Sequence, residues 1–311
     1  MKIAMISDMH ILSKNPEQRS DNIIEKQWSK LHFILKYCQD HQIQILLQAG
    51  DFFDGPRNWD TLQKTIEYVL PYQLSGFKIY SVEGQHDRYM RSNSMITNRT
   101  LLNDLGLIKT KDVVRYKTVN FHGINFEDGM NISETINEHV KQHETLFNEG
   151  KTNILIIHAP ISDAPLFPGH EFSKAFLLLK KHKEFDVILC GDVHKEFELW
   201  DKNRCIINTG SMIRREKNEY NKLHLPLFYI YDTAEKSLKK IFIPCDAYQD
   251  VFQEKETTIE SEVLADFINA VKNPVSNEMD VYKKIERFIF DNGIEKEVMD
   301  EITEVQNDPT K

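Results

Sequence analysis

Short apolar runs, each ended abruptly by small or charged residues, constrain the fold of this chain more than any other feature. The runs are rich in Ile, Leu and Val, which is typical of buried strands covered on one or both faces of a sheet. They occupy residues 3–6, 43–47, 77–82, 154–157 and 187–190. Helical patterns separate them, and this alternation of strand and helix predicts an α/β layered fold.

Periodic apolar residues mark the helices between these strands. In residues 21–42 they recur at three- and four-residue steps, and Ser20 or Asp21 fits the N-cap position. Further helices are predicted over residues 59–69, 92–104, 133–147 and 171–182. Two later strands, over residues 227–231 and 238–243, are expected to extend the sheet.

The chain changes character near residue 248, where strand patterns stop and acidic helical patterns begin. Helices are predicted over residues 259–271, 280–290 and 294–305. We therefore predict one domain over residues 1–247 and an acidic helical C-terminal region over residues 248–311, suited to docking a partner.

The net charge of −9, from 39 basic and 48 acidic side chains, argues against a protein that coats nucleic acid with a basic surface. Residues 251–311 alone hold 15 acidic and 7 basic side chains, whereas residues 1–250 hold 33 and 32. The objection therefore applies to the C-terminal region and not to the predicted α/β domain.

Two further features bear on where the protein works. No apolar run approaches the roughly 20 residues of a membrane span, so we expect no membrane association. The four cysteines, Cys38, Cys190, Cys205 and Cys245, lie far apart without a CxxC pair. This spacing favours reduced thiols over disulfides and predicts a cytoplasmic protein.

Carboxylates and imidazoles gather directly after the predicted strands. Asp8 and His10 follow the first strand, two residues apart, so in an extended chain both would point to the same side. The later strands are followed by Asp51, then by Gln85, His86 and Asp87, then by His158, and finally by Asp192 and His194. Because the carboxyl ends of strands in an open α/β sheet form the ligand crevice, we expect these loops to converge. Such donors without thiolates suit a pair of divalent ions such as Mn, Fe or Zn.

Each of these motifs alone has an ordinary structural explanation. An Asp-x-His pair can be a turn or an N-cap, Gly50-Asp51 can end a strand, and His158 can be a core histidine. The occurrence of all five loops, in order, on five apolar strands favours the metal site.

The series resembles the signature of the calcineurin-like metallophosphoesterases, which is DxH, GDxxD, GNHD, a lone H and GHxH. The matching segments, within residues 1 to about 245, are Asp8-Met9-His10, Gly50-Asp51-Phe52-Phe53-Asp54, Gly84-Gln85-His86-Asp87, His158 and Gly191-Asp192-Val193-His194. The resemblance implies a two-sheet αββα sandwich, followed here by the C-terminal helical appendage, with a dinuclear metal centre at the strand ends.

The resemblance also implies a role for each side chain. One ion would be held by Asp8, His10 and His194 and the other by Gln85, His158 and Asp192, with Asp51 bridging them. His86 would face the scissile phosphate, with Asp87 orienting it. Two ions about 3.5–4 Å apart would activate a bridging hydroxide for in-line attack.

Two residues depart from the family signature, and both belong to the second ion. Gln85 stands for its Asn and Asp192 for its first His of the last motif. An oxygen-richer site should favour Mn or Mg over Zn. The alternative is that this half of the centre is weakened.

Within the superfamily, the chain is most similar to the SbcD-type exonuclease subunits of DNA repair complexes. The similarity rests on the DxH opening followed by a helix, on residues 50–54 and 191–195, and on Asn208-Thr209-Gly210-Ser211. It departs from them after the core, where only about 65 residues remain in place of the usual capping domain. It implies a DNA substrate and an SbcC-like coiled-coil ATPase that grips the C-terminal helices, and a homodimer stays open.

Arginine side chains near the motifs are candidates for binding substrate phosphates, because guanidinium groups grip phosphate bidentately. The candidates are Arg88, Arg214 and Arg215. Two other functions stay open: a small-molecule phosphodiesterase or nucleotide phosphatase on the same core, and a metal-poor interaction scaffold.

Overall fold

The computed structural model describes residues 1–90, 95–166 and 169–252. Within these ranges the strands are β1 (Lys2–Ile6), β2 (Ile45–Ala49), β3 (Lys78–Val82), β4 (Ile108–Lys109), β5 (Val113–Arg115), β6 (Val119–Ile124), β7 (Thr152–His158), β8 (Ile161–Ser162), β9 (Ser173–Lys174), β10 (Val187–Gly191), β11 (Phe197–Asp201), β12 (Arg204–Asn208), β13 (Leu227–Asp232) and β14 (Ser237–Phe242). The helices are α1 (Ile23–Asp40), α2 (Trp59–Leu74), α3 (Asn98–Asp104), α4 (Ile132–Gln142), α5 (Glu144–Phe147), α6 (Ala175–Lys181), α7 (Glu219–Leu223) and α8 (Tyr248–Val251).

Two six-stranded mixed sheets carry the structure, in the orders β14-β13-β1-β2-β3-β4 and β11-β12-β10-β7-β6-β5. Strands β1 to β4 are parallel to one another, as are β6, β7, β10 and β12. The outer strands β5, β11, β13 and β14 pair antiparallel with their neighbours. The carboxyl ends of β1, β2 and β3 therefore share one edge of the first sheet, and those of β7 and β10 share one edge of the second.

The sheets pack face to face, and helices cover their outer faces. In β1, Ile3 and Met5 join the core between the sheets, whereas Ala4 and Ile6 join the core beneath α1, α2 and α3. The second sheet divides its side chains in the same way between the inner core and a core beneath α4 and α6. The central strands β7 and β10 are buried on both faces, which is why their sequences are continuously apolar. The predicted αββα sandwich is confirmed.

Capping side chains set several helix boundaries that periodicity alone misplaces. Helix α1 starts at Ile23 because the Asn22 side chain accepts a hydrogen bond from the Glu25 N–H, so the expected caps Ser20 and Asp21 are wrong. Within the described residues α3 starts at Asn98, where Thr97 forms a capping box with Thr100. The predicted start at residue 92 lies outside the described residues.

Other differences come from short elements that carry little periodic signal. The helix predicted over residues 133–147 is divided at His143 into α4 and α5. The helix predicted from residue 171 starts only at Ala175, since β9 precedes it. The apolar patterning does not predict strands β4, β5, β6, β8, β9, β11 and β12, although β6 and β12 flank the two central strands of the second sheet.

The last described residues of the chain pack against the segment that precedes α1. Val251 and Phe252 are buried, and the Ser20 N–H donates to the Val251 carbonyl at 2.9 Å. The three helices predicted over residues 259–305, and with them the helical appendage, lie outside the described residues, and the boundary at residue 248 stays a prediction. Among the described helices, none is long and apolar enough to cross a membrane.

Candidate metal centre

Hydrogen bonds between strand-end loops bring the predicted ligands to one place. The His10 and Ile11 N–H groups donate to the carbonyls of Asp51 and Phe52 at 3.0 and 2.9 Å, which joins the loops after β1 and β2. The Ser7 hydroxyl donates to the Cys190 carbonyl at 2.7 Å, which joins β1 to the end of β10 in the other sheet. The site therefore lies where the carboxyl edges of the two sheets meet.

Three of the predicted ligands have left-handed backbone conformations. The φ angles are 44° at His10, 51° at Asp51 and 95° at Asp192. Such values are uncommon for residues with a Cβ, and they persist only where the surrounding structure holds them. The expectation of an extended chain from Asp8 to His10 is wrong, because the turn at His10 is what directs its ring towards the centre.

One group of donors combines Asp8 with two imidazoles. The Nε2 atoms of His10 and His194 lie 2.9 Å apart, and each lies 3.9 Å from Asp8 Oδ1. His10 Nδ1 faces Asp54 Oδ1 at 3.4 Å, so Nε2 is the nitrogen turned towards His194. Asp8 Oδ2 is buried without a hydrogen-bond partner among the described residues. These atoms converge as acceptors, which is the arrangement a cation requires.

The second group surrounds His158. Its Nδ1 lies 2.7 Å from the Ala49 carbonyl, which can only accept, so Nδ1 carries the proton and a neutral ring has its lone pair on Nε2. That Nε2 faces Gln85 Oε1 at 2.8 Å, Asp51 Oδ2 at 3.4 Å and Asp192 Oδ1 at 3.9 Å. When the His158 ring is neutral, its Nε2 therefore faces three oxygen atoms, and a positive charge among these four atoms would stabilise them.

Asp51 lies between the two groups. Its Oδ2 is 3.7 Å from His10 Nε2 and 3.4 Å from His158 Nε2, and in the described part of the chain this buried oxygen has no hydrogen-bond donor. Its other oxygen, Oδ1, accepts from the His86 backbone N–H at 2.9 Å. Asp51 therefore has one oxygen fixed by the protein and one directed towards both groups, as a bridging ligand needs.

The pKa values of Asp8 and His158 show that the centre favours positive charge. Burial raises the pKa of Asp8 to about 7. Burial opposes the charged form of His158, yet the Asp51 carboxylate beside it raises the pKa of that imidazole to about 10. A proton on His158 thus balances the carboxylates, and divalent cations would supply the same compensation. The donor set fits a divalent metal centre.

Residues 1–196 of the chain match the family model of the calcineurin-like phosphoesterases. The chain belongs to this family. It is a phosphoester hydrolase, and the matched residues contain every predicted ligand of the centre. No curated protein matches the sequence.

Solved structures support the fold of this phosphoesterase. One is the protein TT1561 of Thermus thermophilus, with 11% identity and a TM-score of 0.50, matched over 78% of this chain and 99% of that one. Another is a dimetal phosphatase from Danio rerio, also with 11% identity and a TM-score of 0.50, matched over 79% of this chain and 99% of that one. At this identity the similarity concerns the fold alone.

The two departures of the phosphoesterase from the family signature contact each other. Gln85 Nε2 donates to Asp192 Oδ1 at 2.6 Å, while Gln85 Oε1 faces His158. The carboxylate fixes which end of the amide is nitrogen, and so leaves the amide oxygen directed at the centre. Gln85 and Asp192 are therefore hydrogen-bonded to each other beside His158.

His86 and Asp87 have different surroundings from those expected. The His86 side chain is 39% exposed, and its Nδ1 donates to the Asp54 carbonyl at 3.0 Å. Asp87 is buried and accepts from the backbone N–H groups of Phe52, Phe53 and Gly84 at 3.3, 3.1 and 3.1 Å. The expectation that Asp87 orients the His86 ring is wrong: Asp87 joins two ligand loops, and Asp54 orients the ring.

Asp54 lies at the centre, although the sequence motifs predict no role for it. Its carboxylate faces His10, and its carbonyl fixes His86. Its carboxylate lies near His10 and His86, and these three residues form another set that could hold a metal ion. The signal is present in the sequence, because Asp54 closes the Gly50-Asp51-Phe52-Phe53-Asp54 motif.

The three candidate arginines lie in different parts of the structure. Arg215 forms an ion pair with Asp54, so it lies beside the centre. Arg88 is buried with its Nε 3.5 Å from Glu83 Oε2, and Arg214 is buried and donates to the Asp246 carbonyl. Among the described residues, neither of these two guanidinium groups pairs with a metal-ligand candidate, although the Arg88 backbone N–H donates to the Gln85 carbonyl at 3.4 Å. Of the three, the structure brings Arg215 to the centre.

Close packing of Gly84 against Asp51 gives a test of the bridging position. A Cβ at residue 84 would lie 2.1 Å from Asp51 Oδ1 and 2.5 Å from Asp51 N. Gly84→Ala should therefore displace the carboxylate and weaken metal retention on the order of tenfold, measured as bound metal per chain after dialysis. Gly55→Ala is the matched control, because a Cβ there meets no atom within 4 Å. Full metal content in both variants would show that the Asp51 position is not critical.

Proposed function

We propose that this phosphoesterase is a two-metal phosphodiesterase that cleaves DNA, as the SbcD-type nucleases do. Metal-dependent hydrolysis is proposed because acceptor atoms converge on Asp51 Oδ2. This oxygen lies 3.7 Å from His10 Nε2 and 3.4 Å from His158 Nε2. The DNA part rests on the sequence similarity to SbcD-type subunits. The proposed partner, a coiled-coil ATPase, would bind the C-terminal region.

The proposed ligands follow the two donor groups. Asp8, His10 and His194 would hold one cation, Gln85, His158 and Asp192 the other, and Asp51 would contact both. Oxygen donors from Gln85 and Asp192 favour a hard cation at the second position, so Mn is the proposed metal. The matched contact between these two side chains supports a complete second site rather than a weakened one.

The turn Asn208-Thr209-Gly210-Ser211, one of the segments similar to SbcD-type nucleases, supports the ligand loops. The Thr209 hydroxyl accepts from the Ser7 N–H at 2.8 Å, next to Asp8. The Asn208 amide donates to the Val193 carbonyl at 2.6 Å, next to His194. The turn therefore holds the loops after β1 and β10 together, which is a structural reason for this segment to accompany the metal motifs.

In the proposed mechanism, bound cations would lower the pKa of a water nucleophile and neutralise phosphate oxygens. The protein positions the remaining groups. Because His86 Nδ1 donates to the Asp54 carbonyl, the ring presents Nε2, which in the imidazolium form can give its proton to the leaving oxygen. Arg215, ion-paired with Asp54 beside this ring, is placed to attract the phosphate.

A second candidate, hydrolysis of a small phosphodiester or nucleotide, is favoured by a separate observation. Arg88 and Arg214, the other arginines expected to grip a DNA backbone, are buried and engaged with Glu83 and with the Asp246 carbonyl. A small substrate would need fewer phosphate contacts than a polynucleotide, for which phosphate neutralisation supplies much of the affinity.

Replacement of His86 tests the proposed division of labour in the centre. His86→Ala should lower kcat about 10²- to 10⁴-fold, because proton transfer to the leaving oxygen is lost while the metal donors stay. The measurements are turnover of bis-p-nitrophenyl phosphate and bound metal per chain. The exposed His41→Ala is the matched control. If metal content falls together with turnover in His86→Ala, the assignment of His86 as a proton donor is incorrect.

The substrate class is tested by a direct comparison. With Mn added, the full chain should cleave single- or double-stranded DNA as well as bis-p-nitrophenyl phosphate, and Asp51→Asn should cleave neither. Rapid hydrolysis of the small diester without any DNA cleavage would overturn the nuclease proposal and favour the second candidate. Inactivity on every substrate, with substoichiometric metal, would overturn both.

A further inference from the structure

A cavity apart from the metal centre lies between α1 and the segments around Arg214 and Cys245. Its volume is about 280 Å³, and its lining includes Arg19, Lys26, Ser29, Lys30, Arg214 and Asp246. None of the metal-ligand candidates lines it. Four cationic side chains thus face one small volume, with a single carboxylate among the residues that line it.

Two of the four cations are neutralised within the protein. Arg19 donates from Nε and Nη2 to the two oxygens of Asp21, at 2.8 Å each. Lys26 lies 3.0 Å from Asp21 and 2.6 Å from Asp246. These contacts engage both carboxylates, and neither of them pairs with Lys30 or Arg214 in the described part of the chain.

Lys30 is the decisive side chain. It is only 7% exposed, it lines the cavity, and its ammonium group makes neither a hydrogen bond nor an ion pair with any described residue. Burial lowers the pKa of Lys30 to about 8, and the neighbouring Arg214 and Arg19 act in the same direction, whereas Cys245 and Asp246 oppose it. Arg214, 4% exposed, donates to the neutral carbonyl of Asp246 and has no carboxylate partner among the described residues. Largely buried cations that lack a carboxylate partner attract an anion into the space that they line.

We propose that this cavity binds a phosphate group, either free or as the monoester of a small metabolite. The Arg214 guanidinium and the Lys30 ammonium supply the two charges that a phosphate dianion matches, and Ser29 lies in the same lining. The volume leaves room for a small substituent beyond the phosphate. The site is separate from the catalytic centre, and the proposal does not depend on the substrate of that centre.

The chain segment that follows the Ser211 turn contacts both sites. The Met212 N–H donates to the Asp8 carbonyl at 2.9 Å, and Arg215 pairs with Asp54 at the metal centre. Arg214, between them, lines the cavity. Consecutive residues of one segment therefore lie at the two sites, Arg214 at the cavity and Arg215 at the metal centre.

Calorimetric titration of the full chain with inorganic phosphate tests the proposal. Excess EDTA removes phosphate binding at the metal centre, circular dichroism confirms the fold, and an ionic strength of about 0.15 M screens diffuse attraction. One saturable site is expected, and AMP but not adenosine should compete for it. Lys30→Met, which removes the charge at similar length, should weaken phosphate binding about ten- to a hundredfold.

Two further variants keep the test decisive. Lys36→Met, on the same helix but half exposed and paired with Asp40, should bind phosphate as the wild type does. Arg214→Met should weaken binding as Lys30→Met does, and it replaces that variant if Lys30→Met fails to fold. Absence of saturable binding in the wild type would overturn the proposal, and so would unchanged affinity in both cavity variants.

Discussion

The structure depends on an electrostatic imbalance at Asp51. Its Oδ2 lies within 4 Å of both His10 and His158 and has no hydrogen-bond donor among the described residues. Asp8 Oδ2 is likewise buried without a hydrogen-bond donor among the described residues. The raised pKa values of Asp8 and His158 also show that this cluster favours positive charge. A buried cluster of this kind needs compensating positive charge, from a proton on His158 or from bound cations. Loop conformations, glycine positions and sheet connections at this edge all serve to hold these acceptors together.

The backbone around the cluster is shaped by this demand. Gly84 and Gly191 stand where a Cβ would lie 2.1 Å from Asp51 Oδ1 and 2.0 Å from the Ala49 carbonyl. His10, Asp51 and Asp192 adopt left-handed conformations that regular strands would not permit. Asp87 stabilises the arrangement by accepting three backbone N–H groups of two loops. Left-handed backbone thus occurs at three of the proposed ligands, and buried hydrogen bonds help to hold it there.

The sequence is sufficient to predict the layered fold and the convergence of the ligand candidates, because strand topology determines where the carboxyl ends lie. It is insufficient wherever a side-chain direction depends on a left-handed turn or an irregular loop. Arg214 and Arg215 are adjacent, yet one lines the phosphate cavity and the other pairs with Asp54. Asp87 follows His86 directly, yet it serves the backbone while Asp54 orients the ring. Neither outcome has a periodic signal that could predict it.

The acceptor cluster is proposed to be a two-cation centre in which Asp51 contacts both cations. Anomalous scattering from crystals grown with Mn can locate such cations. Two peaks about 3.5–4 Å apart are expected, one beside Asp8, His10 and His194 and the other beside Gln85, His158 and Asp192. A single peak beside Asp8, or two peaks without Asp51 between them, would contradict this proposal.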